Sequence, residues 1–183
     1  GLLKSVSNMQ SETSEKVKQL LMQRDSDRGS VTKNSSKNYA VFKPSPSENL
    51  KNIANEMGKS TEEKAIFLEL FTQTKKGFEA EAPDKKNNVA AAMTFLMATA
   101  VMVYHQSPEP SDKATEKLFN GINSMFDEMP EMATASSKDK QFLYDLYISY
   151  GGLILASYQE AVGTKNKETI DAIRVLAGST LLD

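Results

Sequence analysis

The sequence predicts an all-α fold: a bundle of five or six helices around a buried central helix at about residues 88–105, preceded by a polar N-terminal tail. Three observations carry that expectation. The stretch Val89 to Tyr104, VAAAMTFLMATAVMVY, contains no charge, and a helix that is apolar on every side has to be surrounded by others. The segments on both sides of it repeat apolar residues at three- and four-residue spacing, the pattern of helices with one buried face. Strand signals are absent, with no alternating run of useful length and no Asn-Gly hairpin.

Composition sets the outer bounds. The 183 residues amount to one domain with a tail, divided here into a flexible polar tail over 1–38 and a helical domain over 39–183. Hydrophobic residues make up 39%, enough for a single core. The 22 Lys+Arg stand against 24 Asp+Glu, and no basic stripe carries interleaved aromatics, so no nucleic-acid partner is expected. The chain has no Cys, which excludes disulfides, thiol catalysis and thiolate metal sites. The central run falls short of the roughly 20 residues of a spanning helix, so no transmembrane segment is expected. A start at Gly1 rather than Met reads as a trimmed chain from which a targeting segment has been removed.

In order, the tail offers at most one short amphipathic helix, about Glu12 to Arg24, carried by Val17, Leu20 and Leu21. The RDSDRGSVTKNSSKN that follows is linker by composition. Asp25 and Asp27 resemble the opening of a calcium loop, but the glycine falls at the wrong offset and no Glu closes it. Tyr39 to Phe42 reads as a short extended segment, and Pro44 and Pro46 delay the first helix to about Glu48–Met57, with Ser47 as its cap. Ser60 and Glu63 form a capping box for the second helix. Its apolar face is Ile66, Phe67, Leu70, Phe71 and Thr74, with Gly77 as a left-handed ending and Phe78 folding back. Glu69 lies well away from that face and is expected to be exposed. Asn87 caps the central helix, about Asn88 to His105.

After the break QSPEPS, Ser111 caps a fourth helix with the cleanest helical repeat in the chain, Ala114, Leu118, Phe119, Ile122, Met125, Phe126 and Met129, closed by Pro130. EMATAS is read as a loop. Ser136 caps the fifth helix, about Ser137 to Val162. Its broad apolar face holds Phe142, Leu143, Leu146, Tyr147, Tyr150, Leu153, Ile154 and Tyr158. Asp145, Ser149, Gly152 and Ala156 form a narrow small or polar stripe opposite. The last helix, about Lys167 to Leu182, puts Ile170, Ile173, Leu176, Ala177 and Leu181 on one side.

Catalytic and metal motifs do not appear. HExxH, GxSxG, GxGxxG and the P-loop pattern are missing, and one His, His105, removes most triads and metal sets. His105 stands where a helix ends, a position a histidine suits without further role. Glu116, Asp127, Glu128 and Asp145 do not make a di-metal carboxylate pattern. No cofactor is expected. Five of the methionines, Met93, Met97, Met102, Met125 and Met129, fall in or near core faces, where Met fills gaps or lines an adaptable pocket. Tyr144, Tyr147, Tyr150 and Tyr158 cluster beside Gly151 and Gly152. Two glycines inside a helix cost roughly 1 kcal/mol each against Ala, which a close helix–helix contact would offset. A ligand or partner approaching the backbone is the alternative.

Phe42-Lys43-Pro44-Ser45, Asn88-Val89-Ala90 and Lys140-Gln141 with Tyr144-Asp145 together resemble a bacterial all-helical domain family of unknown function, over about residues 42–183. The chain departs from that family at Asn88 and Ala91, near a position that is acidic there. The resemblance implies an exported protein, periplasmic or secreted rather than cytoplasmic, and no catalytic assignment. The expectation is a non-enzymatic domain acting through contacts with a protein partner. The alternative is a bundle that binds a small apolar molecule or lipid in a Met/Tyr-lined pocket. The candidate binding surface is Gln141, Tyr144, Asp145, Gly151, Gly152 and His105, and a hydrolase would have to use His105 or Asp145.

Overall fold

The structure, a computed structural model, describes residues 37–182. Seven α-helices are formed there: α1 (Asn49–Met57), α2 (Thr61–Glu81), α3 (Val89–His105), α4 (Asp112–Asp127), α5 (Pro130–Thr134), α6 (Ser137–Gly163) and α7 (Lys167–Leu182). A 3-10 turn, Pro83–Lys85, joins α2 to α3. The short helix expected at Glu12–Arg24 lies outside the described residues. No strand is formed among them; Val41 and Asn88 make one isolated antiparallel bridge.

Helix α3 is the buried axis. Its Val89, Ala90, Met93, Leu96, Met97, Ala100 and Val103 are inaccessible or nearly so, and it packs along α6, α7 and α4. Its alanines let those neighbours come close, and the apolar area removed from water drives the arrangement. Asn88 opens the helix by accepting from the Ala90 and Ala91 amides at 2.8 and 3.2 Å. The cap is therefore one residue later than expected, because Asn87 takes a left-handed conformation (φ 61°). A smaller apolar cluster, Ile53, Ala54, Phe71 and Leu146, joins α1, α2 and α6.

Four helical details differ from the sequence expectations, each for a packing reason. Helix α2 runs through Gly77 to Glu81 instead of ending there. Phe78 packs on Phe95 and Tyr144 at ring distances of 5.6 and 6.0 Å, and burying a ring outweighs the propensity cost of one glycine. Ile66 is 66% exposed, since the buried side of α2 is centred on Phe71 and flanked by Phe67, Leu68 and Leu70. EMATAS is largely helical (α5), with Pro130 starting a helix rather than closing one and Met132 buried beneath it. In α7, Leu176 is 40% exposed while Ile173 and Ala177 are buried.

The largest departure is in α6. Asp145 and Ser149 are fully buried and Gly152 is buried too, so the stripe expected to face away from the core lies within it. The reason is topological: α6 contacts α1, α2, α3 and α7, which leaves little of its circumference between Lys140 and Ile154 for solvent.

Candidate functional site

Gln141, Tyr144 and Asp145 are brought together on α6, where they fasten the extended segment 39–48 and α1 to the bundle. The two prolines keep this segment out of a helix, so its backbone groups need partners elsewhere. Phe42 donates to the Asn87 carbonyl (3.1 Å) and Ala40 accepts from Val89 (2.9 Å). Gln141 clamps Ser45 from both sides, accepting from its amide at 3.0 Å and donating to its carbonyl at 2.7 Å. Asp127 of α4 accepts from the Lys37 and Tyr39 amides at 3.2 and 3.0 Å.

Asp145 sits beneath this segment. Asn49 donates to Oδ2 at 2.9 Å, and the Lys75 ammonium lies 2.7 Å from Oδ1. Tyr144 donates to Glu79 at 2.8 Å and carries Phe42 and Phe78 against its ring edges. The cluster thus closes on itself: every polar group has been used to join α1, α2, α6 and the extended segment. Burial first, then the hydrogen bond and charge of Glu79, push the Tyr144 phenol well above its ordinary pKa. A folded-state value raised in this way contributes stability that is complete below the unfolded value of about 10 and is lost as pH rises through the folded value. In a native-state absorbance titration, Tyr144 is expected to ionise after the solvent-exposed phenols, and Tyr144→Phe should remove that lagging component. A difference curve centred near 10 would contradict this.

The glycines serve helix packing. A Cβ on Gly151 would lie 2.6 Å from the Phe95 ring, and one on Gly152 would lie 2.4 Å from Thr74 Oγ1. The backbone of α6 therefore meets α3 and α2 directly, the helix–helix contact rather than the approach of a ligand. His105 is apart from all of these. It is exposed at the end of α3, and its ring contacts only its neighbour Tyr104, at 5.0 Å. Arg174 of α7 occupies the adjacent space, donating to the Tyr104 carbonyl at 2.9 Å.

None of the six residues singled out from sequence lines the main opening in the surface. That opening is a groove of about 470 Å³ between the end of α2, the outer face of α3, the start of α4 and the middle of α6. Phe78, Phe95 and Phe119 provide aromatic walls, with Met102, Leu155 and Ala98 between them. Thr94 and Thr99 reach it from α3, and Glu81, Lys85, Glu109 and Asp112 stand at its edges. The Lys85 ammonium pairs with Glu116 and lies 4.7 Å above the Phe119 ring. The walls are phenylalanine, not the methionine and tyrosine expected: Met93 and Met97 are core, and Tyr144 is fully enclosed. Sequence reasoning missed the groove because its residues come from four separated segments. A usable signal was Phe95, the one aromatic inside the charge-free run before Tyr104.

Among the described residues no three His, Asp or Glu side chains gather in a way that could hold a metal ion, and no helix is long and apolar enough to cross a membrane. A family model described as a family of unknown function, DUF6683, matches residues 3–183. No curated protein and no solved structure matches the chain.

Proposed function

The chain belongs to DUF6683, a family of unknown function, and from that premise we propose that it is a non-enzymatic binding domain whose site is the groove beside α3. The observation that carries this is the groove itself. Its volume of about 470 Å³ falls within the range of roughly 300–1,000 Å³ typical of small-molecule sites, and its largely apolar walls with a few polar groups match their usual composition. Catalysis has less support. His105 stands exposed and away from any second titratable group, while Asp145 is inaccessible and held by Lys75 and Asn49. Export is part of the proposal: a chain without Cys has no thiol to protect in an oxidising compartment.

A neutral apolar fluorophore, N-phenyl-1-naphthylamine, tests this reading. Saturable binding at one site per chain is expected, and Ala98→Trp, which fills the groove, should abolish it while leaving the helical circular dichroism intact. Absence of saturation, or binding that survives the filled groove in a folded variant, would remove the groove as the site. A partner protein is the second reading. Val175 and Leu176 of α7, 71% and 40% exposed, favour it, although two adjacent apolar side chains are a small patch by the standard of protein interfaces.

A further inference from the structure

We propose that the groove selects a lipophilic cation, a small organic amine or ammonium with an aromatic or alkyl body; this rests on the groove being the binding site. The first ground is charge complementarity. Glu81, Glu109 and Asp112 line the groove together with one cation, Lys85, which is itself paired with Glu116. Among the described residues no Lys or Arg pairs with those three carboxylates. An anionic ligand would therefore meet uncompensated negative charge, whereas a cation would find it already placed.

The second ground is the aromatic wall. The face of a phenylalanine ring attracts a cation through its quadrupole, and the Phe119 ring already holds an ammonium, that of Lys85, at 4.7 Å. Phe78 and Phe95 form a tilted pair at 5.6 Å on the other side, giving the apolar body of a ligand a surface to lie against. The groove is therefore suited at once to a hydrocarbon and to a positive charge, the combination that recognises organic ammonium groups.

Helix ends rank the three carboxylates. Glu81 is the last residue of α2, where unpaired carbonyls add negative potential. Asp112 is the first residue of α4, where unpaired amides offset its charge. Glu109 lies on the connection between α3 and α4, outside either helix. Glu81 is thus the strongest cation partner of the set, and its replacement should have the largest effect.

Displacement of N-phenyl-1-naphthylamine by three naphthalenes of one shape tests the proposal: 1-naphthylmethylamine (cationic at pH 7), 1-naphthalenemethanol (neutral) and 1-naphthoic acid (anionic). The amine should displace the dye at roughly tenfold lower concentration than the alcohol, the order expected of one or two partly solvated charge contacts, and the acid should be weakest. Glu81→Gln should shrink the amine's advantage without changing the affinity for the alcohol, and 1 M NaCl should do the same by screening. Equal displacement by amine and alcohol, or tighter binding of the acid, would overturn the cation proposal while leaving the groove as a site. If the dye itself fails to bind, both proposals fall.

Discussion

Asp145→Ala is expected to lower unfolding stability by about 3 kcal/mol, within the range found when one partner of a buried ion pair is removed. The Asp145 side chain is 1% exposed, with Lys75 at 2.7 Å and Asn49 at 2.9 Å. Deleting the carboxylate leaves a cavity and strands the Asn49 amide. It also leaves the Lys75 ammonium without its counter-ion, beside a Tyr144 ring 5.7 Å away. Because Lys75 is 25% exposed, it can turn toward water, which holds the loss to the lower part of that range. Lys75→Met should cost at least as much, since the carboxylate it abandons has no route to solvent. The double variant Asp145→Leu/Lys75→Met should recover much of the loss, because replacing both ions removes the desolvation penalty along with the attraction. Urea midpoints at unchanged m-value are the measurement. A loss under 1 kcal/mol for Asp145→Ala, or a double variant as unstable as the sum of the singles, would show that the pair does not anchor α6 to α1 and α2.

The same cluster shows what was legible in the sequence. A pattern of apolar residues every three or four positions locates a helix and its buried side, and it located α3, α4 and α7 with boundaries close to those observed. Gln141, Tyr144 and Asp145 could be grouped because they share one helix face at i, i+3 and i+4. Their partners Ser45, Glu79, Lys75 and Asn49 could not be identified, since periodicity within one helix carries no information about which other element covers it. The periodicity rule also assumes one wet face, and this is why the polar stripe of α6 was assigned to the wrong side. A helix enclosed by four others can bury Asp145 or Ser149 at the same depth as Ile148. The groove was hidden for a related reason: it is the space that α2, α3, α4 and α6 leave unfilled, a property of how helices are set against one another.

Gly152→Ala should destabilise the protein by about 1–2 kcal/mol, reversing the usual sign of a helical Gly→Ala change, which in open surroundings is worth up to about 1 kcal/mol of added stability. The added Cβ would lie 2.4, 2.7 and 2.9 Å from Oγ1, Cγ2 and Cβ of Thr74. Thr74 cannot simply rotate away, because its hydroxyl donates to the Leu70 carbonyl at 2.8 Å and β-branching restricts its rotamers. The helices must separate, and overpacking of this kind costs about 1–3 kcal/mol. Gly77 supplies the control. It lies within α2, a Cβ there meets nothing within 4 Å, and no glycine has positive φ. Gly77→Ala should therefore raise the urea midpoint. Thr74→Ala removes the two closest obstacles and leaves only the Cβ contact at 2.9 Å, which a movement of a few tenths of an ångström relieves. In that background Gly152→Ala should become neutral or stabilising, a coupling of 1 kcal/mol or more between sites on different helices. If Gly152→Ala instead stabilises the wild-type chain as Gly77→Ala does, α2 and α6 are not in direct contact at this point. The glycine would then have to be explained by something approaching the backbone of α6 from outside.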